Sequence, residues 1–264
     1  MSVAETFARA RAEDRAALIG YLPAGFPTAA EGQRAVRTMV EHGCDIIEVG
    51  LPYSDPVMDG PTIQAAAQRA LEQGTRIADV LRTVEAATDA GAACVVMTYW
   101  NPVERYGVDR FAQQLADAGG SGLITPDLTP DSADEWVEAA DARDLDKIFL
   151  VAPSSTDERI AMTTKASRGF VYATAVMGVT GARATASELA GPLVARAKAT
   201  TDLPIGVGLG IGTGAQAAEV ATYADGVIVG SAFVKRLLDA PDEEAGLTSL
   251  AEMAEELAQG VRGG

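Results

Sequence analysis

Glu48 closes a short apolar run, Cys44-Asp-Ile-Ile-Glu-Val-Gly50, and a second acid, Asp59, waits at the far end of the turn-rich loop that follows. A carboxyl group at the end of a buried strand is desolvated, which lifts its pKa towards neutrality and lets it both give and take a proton. Glu48 is therefore the leading catalytic candidate. Its neighbours Ile46, Ile47 and Val49 favour that reading over a structural one. Other acids at strand ends also read as functional first, although this face uses acids to cap helices and order loops as well.

The elements that must position these acids repeat along the chain. Eight β-branched, apolar runs are followed by a Gly, Pro or Asp turn and an Ala-rich stretch of helical periodicity. The predicted strands are Ala17 to Leu22, Ile46 to Val49, Cys94 to Thr98, Gly122 to Ile124, Ile148 to Val151, Phe170 to Tyr172, Ile205 to Gly208 and Gly226 to Val229. Predicted helices span Thr28 to Glu41, Thr62 to Glu72, Val108 to Ala118, Ser132 to Ala142, Ser187 to Ala199 and Gly214 to Thr222. Extra helices fit at Ser2 to Arg11 and Arg76 to Ala90, as decorations of the fold, and a closing helix follows the acidic loop at Ala240. Runs apolar on successive positions suit parallel strands covered on both faces. With 264 residues, the chain fits an α/β fold of (β/α)8 TIM-barrel type in one domain, 1–264. A doubly wound open sheet is the alternative.

Barrel chemistry is assembled by the loops after the strands, so a candidate must stand at a strand's C-terminal end. The only histidine, His42, ends a helix on the opposite face, which removes histidine triads and histidine-rich metal sites. Lys147 precedes the fifth strand, and Lys165, Lys198 and Lys235 fall in helices, so no Schiff-base nucleophile is well placed. The survivors are Glu48, Asp59, Tyr99 after strand three, Asp127 after strand four and Tyr172 ending strand six. Carboxylates and phenols together point to proton transfer.

Glycine is the second signal. Gly206-Val-Gly-Leu-Gly-Ile-Gly212 follows strand seven, and Gly230-Ser231 follows strand eight and opens a helix. Glycine lets backbone N–H groups approach an anion, and a helix N-terminus adds partial positive charge, so this pair reads as the usual barrel phosphate site. Gly178-Val-Thr-Gly181 could close over the same phosphate as a lid. The string Gly210-Ile-Gly-Thr-Gly-Ala215 loosely matches a dinucleotide fingerprint, but the next strand ends in Gly230-Ser231 rather than an acid.

The formal charge of −16 and pI near 4.4 oppose a nucleic acid or anionic membrane partner. Cys44 and Cys94 lack paired metal or redox spacing and read as reduced core thiols of a cytoplasmic protein. Neither a secretion signal nor a membrane span is indicated.

The stretch from Glu48 to Gln64, Glu-Val-Gly-Leu-Pro-Tyr-Ser-Asp-Pro-Val-Met-Asp-Gly-Pro-Thr-Ile-Gln, resembles the signature of the tryptophan synthase alpha chain family. Asn101-Pro after Tyr99, Pro126-Asp127, Gly178 to Gly181 and the two phosphate glycine stretches follow in the family's order, so the likeness runs from about Leu18 to Lys235. The resemblance implies a lyase that cleaves indole-3-glycerol phosphate to indole and glyceraldehyde 3-phosphate in L-tryptophan biosynthesis, with no cofactor or metal of its own. It implies Glu48 as the acid/base between the glycerol hydroxyl and indole C3, Asp59 as acceptor of the indole N–H, and Tyr172 packed beside the substrate. Tyr21, Tyr99 and Ile124 would line an indole pocket, Asp127 and Thr180 would join the substrate site, and Gly181, Gly210, Gly230 and Ser231 would hold the phosphate. It also implies a pyridoxal-phosphate beta chain as partner in an αββα heterotetramer, receiving indole through a tunnel, with contacts from the loops Pro52 to Gly60 and Tyr99 to Gly107. Pro23 and Phe26, and Ala175 and Val176 in the lid, depart from the commoner family pattern. Two other readings remain at this point: a silent binding subunit, and a different phosphate-binding barrel enzyme such as a sugar-phosphate isomerase or epimerase.

Overall fold

The computed structural model describes residues 1–174, 186–208 and 210–263, without the side chains of 186–188. Its strands are β1 (Ala17–Pro23), β2 (Ile46–Gly50), β3 (Ala93–Met97), β4 (Gly122–Ile124), β5 (Asp146–Ile148), β6 (Leu150–Val151), β7 (Val171–Thr174), β8 (Ile205–Gly208) and β9 (Gly226–Val229). They pair in the order β5-β4-β3-β2-β1-β9-β8-β7-β6, and every pair is parallel. β5 and β6 are the two halves of the expected fifth strand, which begins two residues early, at Asp146, and is interrupted at Phe149. Its first half pairs with β4 and its second with β7, and Tyr172 N donates to the Phe149 carbonyl across 3.1 Å. One strand thus serves both edges, and an eight-unit (β/α) barrel results, as the sequence suggested, rather than an open sheet. Lys147 therefore lies within a strand rather than before it.

Around the barrel run α1 (Val3–Ala12), α2 (Ala29–Glu41), α3 (Pro61–Glu72), α4 (Ile77–Asp89), α5 (Trp100–Tyr106), α6 (Val108–Asp117), α7 (Asp134–Asp141), α8 (Asp157–Ala166), α9 (Ala186–Lys198), α10 (Gly214–Ala221), α11 (Ser231–Leu238) and α12 (Glu243–Arg262). Two of these had no clear sequence signal. The buried face of α8 is Ile160, Thr163 and Thr164, so its period is carried by threonine rather than by apolar residues. α5 has seven residues and contains Pro102, which costs nothing in a first turn whose N–H groups have no intrahelical partner.

The core divides in two along every strand, because successive side chains point to opposite faces. Leu18, Leu22, Ile47, Val49, Val96, Leu123 and Val207 face the helices. Ala17, Ile19, Ile46, Val95, Ile124, Ile148, Phe170 and Ile228 fill the barrel. α1 is more than a decoration: its Val3, Phe7 and Ala10 join the inner cluster, with the Phe7 and Phe170 ring centroids 5.6 Å apart. A reciprocal Ser2 and Glu5 cap fixes its start, so the helix forms an apolar floor. Beside that floor the Asp45 carboxylate accepts from Leu18 N and holds the buried Arg15 guanidinium through both of its oxygens.

Candidate active site

Glu48 lies on the inward line of β2, between Ile46 below and Gly50 above. It is the third of five strand residues rather than the last, so it sits inside the barrel mouth. Tyr21 of β1 and Val95 of β3 are its register partners on either side. Its side chain is 1% exposed, and neither carboxyl oxygen finds a hydrogen-bond partner among the described residues. Desolvation, with no compensating donor, pushes the Glu48 pKa from 4.5 up to about 8. The group is thus mostly protonated at neutral pH and close enough to neutrality to exchange its proton.

Asp59 is tuned differently. It sits on the loop between β2 and α3, where partial burial raises its pKa and a hydrogen bond from the Tyr99 hydroxyl, at 3.3 Å, opposes the rise. That hydroxyl also accepts from Met58 N at 2.9 Å. The Tyr53 ring stacks against Tyr99 with centroids 5.3 Å apart, and its hydroxyl accepts from Asn101 Nδ2 at 3.1 Å. The loop after β2 is thereby tied to the start of α5. Tyr53 was not singled out from the sequence, although an aromatic residue inside a polar loop was the available signal.

Tyr21 and Tyr172 complete the cluster. Burial raises both phenols well above their ordinary range; the charges of Asp59 and Glu48 add to the effect on Tyr21, and that of Glu48 to the effect on Tyr172. Tyr172 is an interior residue of β7, which continues to Thr174, and does not end its strand as expected. Small residues make room for both rings: a Cβ on Gly50 would come within 2.3 Å of the Tyr21 hydroxyl, and one on Gly208 within 2.5 Å of that of Tyr172. Ile124, fully buried at the end of β4, belongs to the inner apolar wall.

Asp127 stands apart from this cluster. It is exposed, and both carboxylate oxygens accept from Trp100 N, at 2.9 and 3.2 Å. It fastens the first amide of α5, where Tyr99 supplies no side-chain cap. On the phosphate side, Gly210 has φ +70°, a conformation suited to glycine, and open space around its Cβ position. Gly230 precedes α11 without a side-chain cap, Ser231 begins the helix exposed, and a Cβ on Gly212 would lie 3.9 Å from that of Ala232, so the first turn of α11, whose N–H groups have no intrahelical partner, adjoins the loop after β8. Thr180, Gly181, the rest of the expected lid and its Ala175 and Val176 lie outside the described residues. His42 caps the C-terminus of α2 and pairs with Glu255, away from the barrel mouth. Pro23 ends β1, and Phe26 is fully buried beneath the Arg69 guanidinium, 5.8 Å from its ring centroid. Both departures from the family pattern are therefore packing positions.

A protonated acid and a second carboxylate with a phenol donor, set among half-buried phenols at the C-terminal mouth of a barrel, are suited to moving a proton on an apolar ligand. The family model described as tryptophan synthase alpha chain matches residues 7–262. The chain belongs to that family. It is 62% identical to the tryptophan synthase alpha chain of Salinispora tropica over 97% of its length and 96% of that protein's, and 62% identical to that of Thermobifida fusca with the same coverage. Among solved structures it resembles a tryptophan synthase chain from M. tuberculosis, with TM-score 0.91, 55% identity and 99% of each chain covered. The more distant alpha subunit from Legionella pneumophila gives TM-score 0.89 at 32% identity, covering 99% of this chain and 98% of that one. Family membership makes the chain a lyase of tryptophan biosynthesis, acting in the alpha reaction.

Proposed function

We propose that the Glu48 and Asp59 pair carries out the retro-aldol cleavage of indole-3-glycerol phosphate to indole and glyceraldehyde 3-phosphate. The observation that supports these roles is the buried Glu48 carboxyl, unpaired among the described residues, whose pKa is raised to about 8, facing Tyr21 together with an Asp59 that has a hydrogen-bond donor. Glu48 gives its proton to indole C3. The indole N–H, now more acidic, donates to Asp59, whose negative charge stabilises the developing cation. The Glu48 carboxylate then takes the proton of the glycerol hydroxyl next to C3. The carbon–carbon bond breaks, its electron pair restores the indole, and the hydroxyl carbon leaves as the aldehyde. Glu48 ends protonated, ready for another turn.

In this reading Tyr21, Tyr99 and Ile124 border the indole ring and Tyr172 packs against substrate and Glu48. The backbone groups of Gly181, Gly210, Gly230 and Ser231 hold the phosphate, with Thr180 nearby. Asp127 acts indirectly, by fixing the start of α5. Indole passes to a pyridoxal-phosphate beta chain in an αββα assembly. The exposed Val57 and Met58, at 79% and 44%, give the loop after β2 an apolar surface for that partner. The chain works as one barrel domain in the cytoplasm, where its two buried thiols stay reduced. No helix among the described residues is long and apolar enough to cross a membrane.

The test is indole release by the complex with the beta chain. Glu48→Gln keeps the shape of the side chain but cannot shuttle a proton, and should lower turnover by at least roughly 10²-fold. Turnover at the wild-type rate would overturn the assignment.

A further inference from the structure

The electrostatic neighbours of Tyr21 include both carboxyls, whereas those of Tyr99 include only Asp59 and those of Tyr172 only Glu48. It stands in register with Glu48 on the adjacent strand, and its hydroxyl end lies in a slot that Gly50 leaves open, with Gly230 at ordinary contact distance on the other side. A Cβ on Gly230 would come within 3.4 Å of the ring, and one on Gly50 within 2.3 Å of the hydroxyl. The hydroxyl end therefore points to the top of β2, where the chain leaves for the loop that carries Asp59. Burial and the two acids keep the phenol protonated, so it can act only as a neutral donor or acceptor. Tyr99 spends its proton on Asp59 Oδ1, whereas the Tyr21 hydroxyl makes no hydrogen bond to the described residues. A benzene ring would fill the same slot, so packing does not account for the hydroxyl.

We propose that Tyr21 is a positioning residue for the acid pair: with substrate bound, its hydroxyl donates to Asp59 Oδ2, the oxygen that Tyr99 leaves open. The inference rests on Asp59 as acceptor of the indole N–H. Two donors on one carboxylate favour its charged form and fix its plane. Asp59 thus stays ionised while Glu48, with no donor, keeps its proton, and the two acids hold opposite roles. The titratable groups around the pair are Tyr21 from β1, Tyr99 after β3 and Tyr172 from β7, with the exposed Asp55 on the loop itself bonded to Ser54.

The test is a double-mutant cycle in the complex with the beta chain, reading the Kd of a non-cleavable indolylalkyl phosphate and the pH profile of kcat/KM. Tyr21→Phe should weaken binding about tenfold in the native background, the effect of one hydrogen bond to a charged group. In the Asp59→Asn background the same change should cost less than about twofold, because the acceptor charge is gone. Tyr21→Phe should also shift the acid limb of kcat/KM upward while leaving Tm unaltered. Equal losses in both backgrounds would reduce Tyr21 to packing, and an unaltered affinity and profile would remove its role; either result overturns the proposal. Full turnover by Asp59→Asn would overturn the role of Asp59 itself, and that of Tyr21 with it, which separates the two failures.

Discussion

Glu48→Gln should make the protein more stable, and the gain should grow with pH. In the folded chain the Glu48 pKa is raised from 4.5 to about 8, entirely through burial. Below pH 4.5 both folded and unfolded chains carry the proton, and the group has no effect on stability. Between 4.5 and about 8 the unfolded chain releases it and the folded chain does not. The folded state then binds one more proton, so stability falls by about 1.4 kcal/mol for each pH unit. By pH 7 this amounts to roughly 3 kcal/mol. Glutamine has nearly the same shape, does not titrate, and would meet the same unpaired surroundings, so its neutral burial largely cancels in the comparison. Urea unfolding followed by circular dichroism should therefore give a difference under about 1 kcal/mol at pH 5 and roughly 3 kcal/mol at pH 7 in favour of the variant. For a chain of this size the latter corresponds to about 6 to 12 °C in Tm. A difference that does not grow with pH, or a wild type more stable at pH 7, would refute the argument by showing Glu48 to be hydrated or paired in solution. The variant expected to lose catalysis is thus expected to gain stability, as when an active site keeps a strained or desolvated group for its chemistry.

Two further outcomes follow from the same physics. Because the proposed first step needs a protonated Glu48, kcat/KM should decline as pH rises through about 8, and a profile flat to pH 10 would disqualify Glu48 as the acid. At the barrel floor, Asp45→Asn removes the charged partner from two nitrogens of the Arg15 guanidinium, 4% exposed, while Glu13 stays on Nε, and should cost about 2 kcal/mol in urea unfolding. A loss below about 0.5 kcal/mol would show the pair to be solvated.

Much of the site was already visible as chemistry. An acid inside an apolar run, a second acid beyond a loop of Pro and Gly, and paired glycine stretches late in the chain are local features, and local composition reports them without reference to the fold. The absence of well-placed histidine and lysine likewise narrowed the reaction class before any coordinate was known. Strand positions were legible for the same reason, since a parallel barrel strand is an apolar run punctuated by turns.

Tertiary structure decided which side chains meet. In the run Ile46-Ile-Glu-Val49 both faces are buried, so the sequence does not say whether Glu48 points to the helices or into the barrel; closure of the sheet through Asp146 to Val151 sets that direction. The same closure sets Tyr21 against Gly50 and Gly230, residues far apart in the chain, and makes α1 a floor rather than an appendage. Asp127 shows the converse. The resemblance implied it as part of the substrate site, and the fold adds a local task that the sequence did not show: α5, a short helix around Pro102, brings Trp100 N to its carboxylate. Sequence specified the chemical types available at the mouth of the barrel. Burial and hydrogen-bond partners, which depend on contacts between distant segments, determined that Glu48 keeps its proton and that Asp59 has a donor to help hold its charge.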